Sequence, residues 1–118
     1  MKTLNLTING KEIKFSFGLG FLGELIDDLD IGFDELFIKY DRNPFKYIPL
    51  IMFHSAKFTA ENNDKEIDFT KNDLCNWIDD DGGLKNESMI KFSHAFIESI
   101  NKDVPKEEES KGNEPKKK

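Results

Sequence analysis

The strongest constraint on the fold is the stretch from Thr3 to Leu29, which predicts a β-hairpin that runs directly into a helix. Apolar and polar side chains alternate over residues 4–8 and again over residues 12–17, the period of half-buried strands. Between them stands Asn9-Gly10, which enters a two-residue type I′ turn at the lowest steric cost, because both turn residues need positive φ. The hairpin therefore has one apolar face, which must be covered because an isolated hairpin is marginal in water.

We expect the segment that follows the hairpin to provide this cover. Its apolar residues fall on one stripe of a helix and are Phe21, Leu22, Leu25, Ile26 and Leu29. The hairpin residues that we expect to be buried against Leu22, Leu25 and Ile26 are Leu6, Ile8, Ile13 and Phe15. The opposite face, which includes Ser16, is predicted to be the polar one.

The junction between the hairpin and this helix, Gly18–Gly23, matches the pattern G-x-G-x-x-G. In dinucleotide-binding folds these glycines let the backbone approach a pyrophosphate, but that requires a parallel βαβ unit with a continuously apolar strand. Here the preceding strand alternates and belongs to an antiparallel hairpin. We therefore expect the glycines to serve a tight turn and close packing on the sheet. A nucleotide-binding enzyme that uses Gly18–Gly23 stays open as an alternative.

Composition limits the partners and the compartment. Residues 102–118 hold six lysines and five acidic residues, which leaves 11 basic and 18 acidic residues in residues 1–101, a net charge of −7. This acidic body, with Arg42 as its one arginine, argues against nucleic acid as a partner, since phosphates need clustered Lys and Arg. No long apolar run or signal peptide is present, so we expect no membrane partner. The single cysteine, Cys75, fits a reducing cytosol.

Helical periodicity dominates the chain after the hairpin. A short helix is predicted over Phe33–Tyr40. A central helix is predicted from about Pro44 to about Thr59, with either a kink at Pro49 or a later start near Ile48.

Two further helices complete the predicted fold. A capping box at Thr70–Asp73 opens the first of them, and the second runs from about Glu87 to about Asn101. The fold class is thus α+β and mostly helical, an N-terminal antiparallel β-hairpin followed by about five helices. We predict one globular domain over residues 1–101 and a disordered charged tail over residues 102–118.

The central helix is apolar nearly all round, which predicts either a helix buried at the centre of a monomer or one with a face that contacts a partner. One of its stripes runs through Phe45, Ile48, Met52 and Ala56. The flank between Lys46 and Lys57 is the one that we expect to be exposed. Its predicted partner-binding residues are Leu50, Phe53 and Lys57.

The groups that an enzyme or a metal site would need do not assemble in the sequence. Asp79–Gly83 resembles part of a calcium loop, but the positions for the first and last ligands are Trp77 and Ser88. His54 and His94 have no second ligand at helical spacing, and a dyad of either with Cys75 would require a spatial coincidence. We therefore predict no catalytic, cofactor-binding or metal-binding residues, and a binding or assembly role.

Taken together, the chain resembles the tail assembly chaperones of long-tailed, siphovirus-type bacteriophages of Gram-positive hosts. The features that carry the resemblance are the Leu4–Ile8 strand, Asn9-Gly10, Phe15–Phe17 running into a Gly-rich helix, Asn43-Pro44, the Thr70–Ile78 segment with its tryptophan, and the charged ending. The likeness covers about residues 1–100 and rests on order, size and composition.

The resemblance implies a non-enzymatic role in virion assembly. Such chaperones coat the tape-measure protein, keep it soluble and help to recruit tail-tube protein, acting in the host cytoplasm and staying absent from the mature virion. It also implies self-association into a ring or a spiral, which we expect to involve the Leu50–Lys57 flank. The other class that stays open is a small acidic phage protein that binds and inhibits a host protein.

Overall fold

The structure, a computed structural model, describes the backbone of residues 2–103 and the side chains of residues 3–101. Its elements in chain order are β1 (Lys2–Ile8), β2 (Lys11–Phe17), α1 (Leu19–Leu29), α2 (Phe33–Arg42), α3 (Pro44–Asn62), α4 (Lys71–Asp80), one turn of 3-10 helix (Gly83–Lys85) and α5 (Glu87–Asp103). The predicted class, a mostly helical α+β fold with an N-terminal hairpin and five α-helices, is confirmed within these residues. The predicted disordered tail lies outside them from Val104 onward, while Lys102 and Asp103 belong to α5.

The hairpin has the predicted turn. Asn9 and Gly10 have φ values of 52° and 78°, and the strands pair antiparallel with Ile8 opposite Lys11. Positive φ at both residues is the signature of the type I′ turn. The Asn9 backbone N–H donates to a carboxylate oxygen of Asp81 at 3.2 Å, which ties the turn to the end of α4.

The apolar face of the hairpin is buried as predicted, and α5, which the prediction did not name, supplies part of its cover. Phe92 of α5 lies against it, with ring centroids 5.2 Å from Phe15 and 5.4 Å from Phe17. Phe21 of α1 contacts Phe17 at the end of β2 and Phe58 of α3. Because α1 follows β2 without a long loop, it starts at the end of the strand and packs on α3. The hairpin thus packs against α3 and α1 through β2 and against α5 through β1.

Helix α3 is the central helix of the fold, since β2, α1, α2 and α4 all pack against it. It runs without interruption from Pro44 to Asn62, so the predicted later start near Ile48 is wrong. Pro49 lies inside it and is buried; the bond that it cannot donate would have gone to Phe45 in the exposed first turn. Phe45, the first residue of the stripe that continues through Ile48, Met52 and Ala56, is 78% exposed because it lies one turn before the first buried position.

Ser16 departs from the predicted alternation, since it lies on the polar side of the hairpin and yet is fully buried. The Ser55 hydroxyl of α3 accepts from the Ser16 backbone N–H at 3.0 Å and donates to the Ser16 carbonyl at 2.8 Å. The Thr59 hydroxyl, one turn later, lies 2.7 Å from the Ser16 hydroxyl. These three residues, the hydroxyl cluster, attach α3 to the outer edge of β2.

The predicted capping box of α4 is present. The Thr70 hydroxyl accepts from the Asp73 backbone N–H at 3.1 Å, and the Asp73 carboxylate accepts from the Thr70 N–H at 3.0 Å. Asn86 caps α5 by accepting from the Met89 N–H at 2.8 Å. Both helix starts therefore satisfy backbone donors that would otherwise lack a helical partner.

Replacement of Phe15 by Ala is expected to lower the free energy of unfolding by about 3–5 kcal/mol, because it empties a fully buried aromatic site. Chemical denaturation measures the change. Phe45→Ala is the matched control, and its effect should stay within about 0.5 kcal/mol because that ring is exposed. A Phe15 effect as small as that of the control would contradict the assignment of this face to the core.

Replacement of Ser55 by Ala is expected to lower the free energy of unfolding by about 1–3 kcal/mol, since it leaves both backbone groups of the buried Ser16 without a partner. Urea titration gives the value. Ser88→Ala removes a hydroxyl that donates to the exposed Thr7 carbonyl at 2.9 Å, where water can replace it, and should change stability far less. Equal effects of the two substitutions would show that the hydroxyl cluster has no special role.

Candidate functional site

The sequence-predicted surface, Leu50, Phe53 and Lys57, lies on the outer flank of α3 and is called the α3 flank. Lys57 is exposed, whereas Leu50 and Phe53 are half-buried. Phe53 packs edge-on against Phe69, with ring centroids 6.1 Å apart, while Leu50 is not among the residues packed on the core. The three residues thus share one side of α3, but the Phe53 ring already has an intramolecular neighbour.

The ring beside Phe53 belongs to a row of half-buried aromatics between α3 and α4. The Phe69 ring packs at a tilt of 51° against Trp77, with centroids 5.2 Å apart, and the Lys11 ammonium lies 5.1 Å from the centre of the Trp77 ring. Such cation–π contacts are weak at exposed positions. The row therefore links the loop before α4 to α3, to α4 and to the hairpin. It covers part of the α3 flank and leaves the rest exposed.

His54 lies beside Phe53 in a narrow cleft between α3 and α1. Its Nδ1 is 3.4 Å from a carboxylate oxygen of Asp28, and Glu24, Lys57 and Glu61 also line the cleft. Burial lowers the pKa of His54 below its ordinary value, and this outweighs the opposing attraction of Asp28; Lys57 and Lys71 add to the lowering. The imidazole therefore acts mainly as a neutral packing group between α1 and α3.

A largely apolar open groove lies between α5 and β1; it is called the α5 groove and is formed by Leu4, Ile90, His94 and Ile97. It has a volume of about 800 Å³. Ile90 is 49% exposed, Leu4 and Ile97 are half-buried, and His94 is exposed. The three α5 residues are spaced at i, i+4 and i+7, so they form a second stripe beside the buried one.

The glycines of Gly18–Gly23 have packing and turn roles. Gly18 takes φ 126°, which places it in the region that only glycine enters freely. A Cβ on Gly20 would lie 3.2 Å from the Phe58 ring, whereas a Cβ on Gly23 would meet nothing within 4 Å. Within residues 2–103 the sheet consists of the antiparallel pair β1–β2, so the parallel unit that the dinucleotide motif requires is not formed there.

The remaining chemical candidates are distributed over separate elements. Asp81, from the acidic run before Gly82, accepts the hydrogen bond from Asn9, and Cys75 is a half-buried free thiol on α4. Across the described part of the chain, no three His, Cys, Asp or Glu side chains converge to hold a metal ion. No helix among the described residues is long and apolar enough to cross a bilayer.

No protein-family model, curated protein sequence or solved structure matches this chain.

The sequence prediction missed the α5 groove. The signal was present, since Ile90 and Ile97 fall outside the buried stripe of Met89, Phe92 and Phe96. An apolar residue off the main stripe does not by itself indicate a groove, because its exposure depends on the distance between α5 and β1. That distance is a tertiary property which helical periodicity does not contain.

The lowered pKa of His54 predicts a pH-dependent stability. The unfolded state takes up a proton on His54 at a higher pH than the folded state does, so stability should be fully present above about pH 6.5 and decline as pH falls through the folded-state pKa. Thermal melts of the wild type and of His54→Gln between pH 7.5 and 5 measure this, and the variant should show a smaller decline. The matched control is His94→Gln on the exposed side of α5; a wild-type decline unchanged by His54→Gln would contradict the assignment.

Proposed function

We propose that this chain is a tail assembly chaperone, which binds the helical tape-measure protein of a long-tailed bacteriophage in the α5 groove and helps to recruit tail-tube subunits. In this role it acts in the host cytoplasm, works in many copies arranged as a ring or a spiral, and is absent from the mature virion. The proposal gives the chain no catalytic step and no cofactor.

The observation that carries the proposal is the α5 groove. Ile90 and Ile97 present apolar area along about two turns of α5, and Leu4 forms the opposite wall. An amphipathic helix that lies in such a groove inserts side chains at i, i+3, i+4 and i+7. A partner built from long amphipathic helices offers that pattern repeatedly, so one chaperone can bind at many points along it.

Two features of the sequence support this class of function over others. The acidic body makes a nucleic-acid partner unfavourable, because like charges repel at the phosphate backbone. The order of hairpin, Gly-rich helix, Pro-initiated central helix and charged ending is the order that resembles the tail assembly chaperones. The fold is also small enough for many copies to line a fibrous partner.

The α3 flank remains a predicted contact surface, and the structure suggests how to test it. Phe53 contacts Phe69, so a charge at Phe53 would disturb the aromatic row as well as any interface. Leu50 lies on the same flank without packing on the core. Leu50→Glu is therefore the cleaner substitution for asking whether this flank contacts a partner or a second copy.

The test is co-expression of the chain with helical segments of a tape-measure protein from a long-tailed bacteriophage genome that encodes this chain. Wild-type protein should keep the segment in the soluble fraction and copurify with it. Ile90→Glu should reduce copurification at least about tenfold, because it places a charge in the apolar contact. Ile38→Glu on α2 is the matched control, since Ile38 is 54% exposed and lies outside the groove.

Each outcome of the co-expression has a definite meaning. Loss of binding with Ile90→Glu but not with Ile38→Glu or Leu50→Glu supports the groove. Loss of binding with Leu50→Glu alone would place the partner site on the α3 flank, and it would overturn the assignment to the groove. If the wild-type chain neither solubilises nor copurifies with any segment, the chaperone function itself is wrong.

A further inference from the structure

The register of the hairpin determines which backbone groups point away from it. In an antiparallel pair, residues alternate between those that bond to the neighbouring strand and those whose N–H and C=O point outward. Ser16 is of the outward kind, because both of its backbone groups bond to Ser55 on α3. Two-residue alternation along β2 makes Lys14 and Glu12 outward-pointing as well.

Helices cover only part of this outer edge. Ser55 satisfies the backbone of Ser16, but no described residue bonds to the outward groups of Glu12 and Lys14. Both residues are exposed, and their charged side chains have no ion-pair partner among the described residues. The segment Glu12-Ile13-Lys14, called the β2 edge, is thus a short open strand edge of the kind that accepts a further strand.

Space for another strand lies directly beside the β2 edge. A cleft of about 450 Å³ separates Glu12–Lys14 from the C-terminal part of α3 and the loop that follows it. Its far wall is lined by Ala60, Ile67 and Phe69, among other residues. The cleft exists because α3 contacts β2 at Ser16 and leaves the strand free toward the hairpin turn.

The charges of the β2 edge are complementary to themselves. If two copies pair antiparallel about Ile13, Glu12 of each copy stands opposite Lys14 of the other. Opposite charges at directly facing positions stabilise a strand pair, and each such pair also exchanges both backbone hydrogen bonds. In this register the outward groups of one copy meet the outward groups of the other, as an added strand requires.

We propose that two copies of this chain associate through their β2 edges, related by a twofold axis that passes beside Ile13. The two hairpins then form one continuous antiparallel sheet. This contact is isologous, so by itself it produces a dimer and not a ring. It supplies one contact for the self-association included in the proposed function, but it depends on the β2 edge and not on the tape-measure protein.

Charge reversal tests the pairing. Glu12→Lys and Lys14→Glu each place like charges opposite one another, so sedimentation equilibrium of either variant alone should show dimerisation at least tenfold weaker than that of the wild type. In an equimolar mixture of the two variants, every facing pair is again one Lys and one Glu, and dimerisation should recover. Lys85→Glu, an exposed lysine in the 3-10 turn, is the matched control and should leave the dimer constant unchanged.

A second measurement uses the unmodified chain. The backbone amides of Glu12 and Lys14 should become protected from hydrogen exchange as the protein concentration rises, while the outward amide of Asn5 on β1 should not. A wild-type chain that stays monomeric at all concentrations overturns the proposal. The proposal is also overturned if either single charge reversal leaves the dimer intact, or if the equimolar mixture of the two variants does not dimerise. It is overturned as well if the Glu12 and Lys14 amides stay unprotected in the dimer.

The proposed function is tested separately from this contact. Glu12→Lys should still copurify with a tape-measure segment, since the α5 groove is unchanged. Loss of dimerisation with retained copurification supports both proposals. Normal dimerisation together with no copurification by the wild type rejects the chaperone function alone.

Discussion

The attachment of α3 to β2 through Ser16, Ser55 and Thr59 is the interaction on which the arrangement of the other helices depends. One hydroxyl, that of Ser55, replaces the neighbouring strand for both backbone groups of Ser16. Since buried backbone groups without partners are strongly unfavourable, this bond fixes where α3 lies along the strand. Packing of apolar side chains alone could not choose that position, because α3 is apolar on several sides.

Once α3 is placed, the remaining helices have few alternative positions. Gly20 lets α1 approach the Phe58 ring closely, and Phe21 packs on the same ring with centroids 6.0 Å apart. On the other side of the hairpin, Phe92 fills the apolar face and leaves α5 beside β1. The α5 groove follows from this placement, since α5 buries one stripe and exposes the next.

Local chemistry made the hairpin turn and the α4 cap predictable, because Asn9-Gly10 and the Thr70–Asp73 box act through neighbours in sequence. The burial of Ser16 was not predictable in the same way. Its partner, Ser55, lies 39 residues further along the chain. The alternating pattern by itself predicts that a serine on the polar face is exposed to solvent. The exposure of Phe45 was not predictable for a related reason, since a stripe on a helical wheel does not show where the neighbouring elements end. The α5 groove and the β2 edge likewise depend on tertiary spacing that no single segment encodes.

The two proposed contacts lie on different strands of one hairpin, and this has a consequence for assembly. The α5 groove is bounded by Leu4 of β1, whereas the β2 edge opens beyond the other strand. A copy that pairs through β2 therefore leaves the groove of each partner uncovered by the strand contact. A dimer would present two grooves related by the twofold axis, so it could hold two stretches of helix at once. Bivalent attachment raises the effective affinity for a long partner even when each groove binds weakly. Weak, repeated contacts of this kind suit the proposed role, in which the chain coats a fibre during assembly and is later released from it.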